Sequence, residues 1–564
     1  MMRHRWCWLV FCFIGMLSAD SPSLCRQGPT RPASPATSPD PSAPQVNEKR
    51  VALTPLEEAE QLCHMGKCNE AIEQYSAIIK SGTDTAAAYA GLARAYLKVR
   101  KASDAYLSAQ KAVERDSSLG TAHSALGEVY FRQGKLHEAQ TEFLNALKLG
   151  PVDAQTYLDL ARFYRATYDF KKAKVAIDKA YSLDPTDPDI GSAWVETRPL
   201  SEQAKALEDN IASQSKYYGR AEKARFKQRL TLMKDEIEHP ERTCGVVSWP
   251  GSTEIPLTPI GEDFTGLDAS VNGVRTRLVL STVSSGIVIN GQIAEQAGVQ
   301  PITRADMDAL GEQNPPEAYT GFARSLKLAD LEFQNCYVTV VERASPRSFY
   351  DQFEGLIAAG FFSAYLVDID IPNAKLTLQS LPSRPASEAA ASTATDSSQG
   401  DAQNFHDRYT APEMARWTEM YHFSNAILIP AQVNGSPPAL FEVATSSKYN
   451  VLEPEFARER ASLRHDLRSA HLEGINGRVS SESSGKVKLA LGDLHFKAIK
   501  VISFDDTSPS DRAETEIAGY LGFDLLRNLH FTIDYRDGLI DFMFAPRVPE
   551  APLQSAPSSP WSHR

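Results

Sequence analysis

Two segments of this chain, 163 residues apart, repeat one structural element. The first runs Val271-Asn272-Gly273 and then Leu278-Val279-Leu280-Ser281-Thr282-Val283; the second runs Val433-Asn434-Gly435 and then Phe441-Glu442-Val443-Ala444-Thr445-Ser446. Each is an Asn-Gly turn feeding an apolar strand that ends in a small polar elbow. A second signature follows each copy: Gly355-Leu356-Ile357-Ala358-Ala359-Gly360 with Val367-Asp368-Ile369-Asp370, and Gly519-Tyr520-Leu521-Gly522-Phe523-Asp524 with Phe531-Thr532-Ile533-Asp534. The offset drifts only from 162 to 164, so the second half of the chain is a duplicated, mainly-β domain.

Strand, elbow and hydrophobic-hydrophobic-Gly brace together resemble the aspartic proteases, retropepsin-like or pepsin-like. In that family each lobe brings an Asp-Thr-Gly loop to the interface, and two adjoining carboxylates share a proton and activate one water. Here the motif positions read Ser281-Thr282-Val283 and Ala444-Thr445-Ser446. Both carboxylates and both glycines are gone, so no catalytic residue is assigned. The central threonines remain, and the resemblance implies that their hydroxyls tie the lobes together. It also puts flaps over the cleft near Tyr319-Thr320-Gly321-Phe322 and Gly474-Ile475-Asn476-Gly477, which makes Tyr319, Gly321, Gly474, Asn476 and Gly477 the ligand-binding candidates, each glycine permitting a hinge or tight turn. Asp368, Asp370, Asp524 and Asp534 are substitute carboxylates to test, although strand-end aspartates are commonly surface residues. Ser281 has no Gly-x-Ser-x-Gly setting to make it a nucleophile, and Lys448 follows Ser447 on the opposite side of any strand.

Upstream, a 34-residue period dominates. Leu126, Gly127, Tyr130, Ala139, Phe143 and Ala146 recur one period on as Leu160, Ala161, Tyr164, Ala173, Ile177 and Ala180, and one period back as Leu92, Ala93, Tyr96, Ala105, Ala109 and Ala112. The pattern is similar to the tetratricopeptide repeat, with small residues where paired helices touch and aromatics filling the gaps. The resemblance implies a superhelix whose concave groove receives a peptide or protein partner. Tyr89, His123 and Tyr157 hold equivalent first-helix positions, where packing explains them.

The expected organisation is a signal peptide over 1–19, a Pro/Ser-rich disordered linker over 20–50, four tetratricopeptide repeats over 51–190 and a helical cap over 191–245. Lobe 1 follows over 246–383, a linker over 384–415, lobe 2 over 416–545 and a disordered tail over 546–564. The fold class is therefore multidomain: an all-α solenoid followed by two mainly-β aspartic-protease-like lobes, with little shared core foreseen between them. Arg3, His4 and Arg5 ahead of the apolar run Trp6–Leu17 predict export to a periplasmic or extracellular space, with membrane attachment only if that segment stays uncleaved. A formal charge of −12 without a basic stripe argues against nucleic acid. Removing the signal leaves Cys25, Cys63, Cys68, Cys244 and Cys336. Cys63 can pair with Cys68, isolated buried thiols fit equally well, and no finger-like spacing predicts a metal or other cofactor. The function expected is an exported, non-catalytic peptide- or protein-binding scaffold. The alternatives are an endopeptidase using non-standard carboxylates and a pure assembly protein with inert lobes.

Overall fold

The computed structural model describes residues 53–82, 85–150, 152–214, 220–247, 249–305, 317–343, 353–385, 406–423, 426–465, 471–474, 477–480, 483–504, 510 and 515–544. The expected signal peptide, Pro/Ser-rich segment, C-terminal tail, Asn476 and most of the inter-lobe linker lie outside the described residues.

Eight helices pair into four hairpins: α1 (Pro55–His64) with α2 (Cys68–Ser81), α3 (Thr85–Lys98) with α4 (Ala102–Arg115), α5 (Gly120–Arg132) with α6 (Leu136–Lys148), and α7 (Ala154–Ala166) with α8 (Phe170–Leu183). The repeat is visible in the backbone itself. Gly66, Arg100, Gly134 and Tyr168, spaced by 34, all take positive φ just after the first helix of their pair. That left-handed residue satisfies trailing carbonyls and turns the chain back. Small residues do the expected packing: a Cβ at Gly127 would collide with the Phe143 ring. α9 (Pro188–Val195) closes the stack, Trp194 lying flat on Tyr181 with ring centroids 4.1 Å apart. α10 (Leu200–Gln214) and α11 (Arg220–Glu238) then bury Leu200, Ala204 and Met233 against one another.

The two lobes repeat one topology. In lobe 1 the elbow strand Val274–Ser281 runs parallel to Gly355–Ala358, which pairs antiparallel with Ile287–Asn290. In lobe 2, Ala439–Ala444 runs parallel to Gly519–Gly522, which pairs with Val451–Leu452. Both Asn-Gly turns hold left-handed backbone at both residues. Their asparagines do identical work. Asn272 Nδ2 donates to Ala297 O and its Oδ1 accepts from Ser325 N; Asn434 repeats this with Arg460 O and Lys488 N. Gly355 and Gly519 let the brace strand press on the carbonyls of Val288 and Val451. One expectation needs correction: register aligns lobe 1's Ala358 with Gly522, so the first brace ends in alanine. In lobe 2 a Cβ at 522 would strike the Tyr449 carbonyl; in lobe 1 the opposing loop residue is Gly286, whose carbonyl instead accepts from Ala358 N at 2.8 Å.

An antiparallel layer joins the lobes, in the order Thr418–Glu419, Leu539–Phe544, Leu529–Asp534, Leu366–Asp370, Lys375–Gln379, Ser252–Ile260. The expectation of little shared core is overturned at the solenoid. Phe131, Leu158, Leu160 and Phe163 of the solenoid bury in one cluster with Phe423, Leu428, Leu440 and Ile517 of lobe 2. Tyr168 enters the main core of the lobes, where a Cβ at Gly538 would run into its ring, and Arg408 lies over that ring. Backbone bonds seal the seam, from Glu516 N to Arg132 O at 2.8 Å and from Lys171 N to His406 O at 3.1 Å. α11 instead reaches lobe 1: Asp235 accepts from Tyr337 Oη at 2.6 Å and from Arg242 at 2.6 Å, and a disulfide joins Cys244 to Cys336. A second disulfide joins Cys63 to Cys68.

Candidate functional site

The two elbows meet at the lobe interface, and each threonine reaches across. Thr282 Oγ1 donates to Val443 O and accepts from Thr445 N at 3.0 Å; Thr445 Oγ1 donates to Leu280 O at 2.8 Å and accepts from Thr282 N at 3.0 Å. All of these groups are buried, so the four bonds form in a low-dielectric setting where an unpaired partner is costly. This is the cross-lobe tie that the retained threonines implied.

The chemistry at the centre is hydroxyl, not carboxylate. Ser281 Oγ lies 2.9 Å from Ser446 Oγ and 2.7 Å from Ser284 Oγ. Ser281 and Ser446 are 0% and 2% exposed, and Ala444 offers no polar atom. Thus Ser281 of the first elbow faces Ser446 of the second, closing a chain of neutral hydroxyls. An aliphatic hydroxyl neither ionises nor draws protons from water near neutrality. Lys448, just past the second elbow, reaches back to Asp263 of lobe 1 at 2.8 Å, and that hydrogen bond holds its ammonium above the usual lysine range.

The four candidate aspartates are placed elsewhere. Asp368 accepts from His530 and Thr532 on the inter-lobe layer, at 2.7 and 2.9 Å. Asp370 binds Asn373, and Asp534 accepts from Asp537 N, its carboxyl pushed upward first by burial. Asp524 opens the short helix after the second brace. None hydrogen-bonds an elbow residue among the described contacts.

The flap candidates divide. Tyr319 and Gly321 sit within strand Glu317–Leu328, paired on both sides, so the hinge or turn expected there is absent. Tyr319 Oη donates to Val299 O at 3.3 Å, and Gly321 is small because Val299 and the Gln300 carbonyl press against it. Gly474 and Gly477 face each other as the last pair of a two-stranded hairpin.

Charged residues of the solenoid's first helices pair with one another and with α9. Arg94 on α3 pairs with Asp153 at 2.9 Å and lies 3.6 Å from both Glu128 on α5 and Asp159 on α7. Lys98 bonds Asp189 of α9, and His64 lies 3.0 Å from Asp187. Burial pushes the Asp159 carboxyl up to about 7, helped by Glu128; at Asp189 burial is outweighed by Lys98 and Arg162, which bring it to about 2. Sequence inspection missed this network, although the signal was present: one helical position reads Glu60, Arg94, Glu128, Arg162 at successive 34-residue steps. It also missed Glu442, a carboxylate on the second elbow strand that is 5% exposed.

Residues 267–357 match the family model of aspartyl proteases, and residues 124–188 match a tetratricopeptide repeat. The chain carries tetratricopeptide repeats and an aspartyl protease-like domain. No curated protein matches it. Among solved structures it is similar to a thermophilic tetratricopeptide repeat protein of Thermus thermophilus, at 22% identity over 32% of this chain and 97% of that one, with a TM-score of 0.26. A retropepsin-like aspartic protease from Rickettsia conorii is 17% identical over 24% of this chain and 92% of its own, TM-score 0.18. An aspartic proteinase from Irpex lacteus is 12% identical over 53% and 99%, TM-score 0.33.

Proposed function

We propose that this protein is an exported, non-catalytic scaffold that holds an extended peptide or protein segment between its protease-like lobes. The observation that carries the proposal is the elbow itself, where the threonine tie persists and a Ser281–Ser446 hydroxyl contact stands where a carboxylate pair and its water would have to be. Hydrolysis by that route needs a group that can take a proton from water, and neither elbow supplies one. The solenoid supports the scaffold reading in a particular way. Its first helices are cross-linked by internal ion pairs, and its turn edge is docked on lobe 2, so it braces the lobes. Two disulfides within the described residues favour an oxidising compartment and therefore export.

The test is proteolysis of an unfolded protein substrate between about pH 3 and pH 7, the range in which paired carboxylates act. The wild-type chain is expected to leave the substrate intact. A variant carrying Ser281→Asp, Val283→Gly, Ala444→Asp and Ser446→Gly is expected to cut it at acid pH, because the frame that positions those residues is retained. Substrate turnover by the wild type that survives repurification and is lost in Asp370→Asn or Asp534→Asn would overturn the non-catalytic reading.

A further inference from the structure

An antiparallel strand pair stitches the lobes together, Leu366–Asp370 of lobe 1 with Leu529–Asp534 of lobe 2. The duplication maps these strands onto each other at an offset of 164, so Leu366 and His530 are counterparts. The register obeys the same pseudo-symmetry: Leu366 faces Asp534 at one end, His530 faces Asp370 at the other, and Asp368 faces Thr532 between them. Alternate residues share a side of a strand, so these residues lie on the side of the layer opposite Val367, Ile369, Phe531 and Ile533, which are in the main core.

The two ends are closed by different forces. Leu366 packs against the buried Ala411, Met414 and Leu539, an apolar contact that pH does not touch; Asp534 beside it accepts from Asp537 N in its own lobe. At the other end His530 Nε2 meets Asp368 Oδ2 at 2.7 Å, and Thr532 Oγ1 donates to the same oxygen at 2.9 Å. The His530 and Asp368 side chains are 22% and 23% exposed, so protons from solvent reach them. Three carboxylates act on the imidazole: Asp368 and Asp370 from lobe 1, and Asp541 from the next strand of lobe 2. The neighbouring cations are engaged elsewhere. Lys375, opposite Asp370, bonds Glu254 at 2.6 Å, and Arg416, near Asp541, bonds Asp493 at 2.6 Å. The partner of His530 on Leu539–Phe544 is the uncharged Met543.

We infer that this seam is a one-ended hinge governed by pH: protonated His530 closes its end by holding Asp368, Asp370 and Asp541 together, and neutral His530 lets that end open while the Leu366 end stays shut. A neutral ring keeps a hydrogen bond but no charge, so like carboxylates then face one another across the lobes. The hydrogen bond to Asp368, and the charges of the three acids, hold the imidazole above its usual range despite partial burial. The stability this contact contributes is therefore complete below the unfolded value of about 6.5 and is lost as pH rises through the folded one. The frame requires no titratable group here, because leucine does the equivalent work in lobe 1.

Hydrogen–deuterium exchange of the full-length protein tests the hinge, read amide by amide between about pH 5.5 and about pH 8.5, either side of the ordinary imidazole value, and corrected for intrinsic exchange rates. Protection near His530 and Asp370 should fall about fivefold over that range, the factor one partly exposed ion pair supplies, and should hold near Leu366 and Asp534. His530→Leu, which copies lobe 1, and His530→Gln, which keeps a donor without a charge, should show no such fall. His530→Lys, charged throughout the range, should keep the acid level of protection at every pH. Asp159 and the other titrating groups are the same in all four proteins, so their effects cancel in the comparison. A flat wild-type profile would overturn the inference by itself, whether or not the variants fold. So would a fall that persists in the leucine and glutamine variants, or one that runs evenly along the whole seam.

Discussion

At the scale of single residues, Thr282 and Thr445 carry the tie between the two lobes. Each hydroxyl is donor and acceptor at once, so replacing one with valine strands a buried carbonyl and a buried N–H on the opposite loop. Thr282→Val is expected to cost about 3 kcal/mol, one to three for each group left unpaired. The double Thr282→Val/Thr445→Val variant should cost less than the sum, because the two hydroxyls lie 3.4 Å apart and the loss of either loosens the loop that holds the other. Urea denaturation measures both, and a single-site loss below about 0.5 kcal/mol would show that the tie carries no stability. Asp159 makes a prediction about pH. Its folded pKa lies near 7 and above its unfolded value, so between those values the folded state holds the extra proton and stability falls as pH rises. Relative to the wild type, Asp159→Asn should remove part of the loss of stability between pH 5 and pH 8; equal slopes in the two proteins would refute the assignment. The threonines were legible in the sequence because their role travels with the resemblance. The partner of Ser281 was not, since a contact across 165 residues of sequence depends on how two lobes dock, and no local pattern records that.

At the scale of elements, the 34-residue period announced the solenoid, and its small and aromatic positions behave as the spacing predicts. What periodicity could not reveal is which edge of the solenoid is covered. The left-handed position reads Gly66, Arg100, Gly134, Tyr168, and only the last is an aromatic residue. A tyrosine there strains the backbone by about 1–2 kcal/mol relative to glycine. That cost is offset by burying its ring in the core of the lobes beside Gly538 and Arg408. Tyr168→Ala should therefore destabilise the junction by about 3–5 kcal/mol, the usual loss for deleting a buried aromatic ring. Tyr168→Gly should lose about 1 kcal/mol less than Tyr168→Ala, because the strain is relieved. In calorimetry the wild-type solenoid and lobe 2 are expected to melt in one transition that Tyr168→Ala splits in two. Two separate transitions in the wild type itself would mean that the shared clusters do not couple the domains.

At the scale of the whole molecule, the lobes are held by connections that owe nothing to the segment joining them in sequence. The chain leaves lobe 1 at Arg384 and is next described at His406, where the two side chains lie 2.9 Å apart and Arg384 also bonds Asp537. Entry and exit are thus pinned at one place. Lobe 2 is meanwhile gripped three times, by the threonine tie, by the paired strands Leu366–Asp370 and Leu529–Asp534, and by α5 to α8. Cutting within 386–405, at an introduced site for a specific protease, is therefore expected to leave both pieces in one particle on size exclusion at micromolar concentration. The melting temperature should fall by only a few degrees, because opening a loop of this length releases little closure entropy. The same cut in the Thr282→Val/Thr445→Val protein removes one of the three grips, so its pieces should separate at lower urea than those of the cut wild type. Separation of the cut wild type into free fragments without denaturant would show that the linker, not the interface, holds the lobes together.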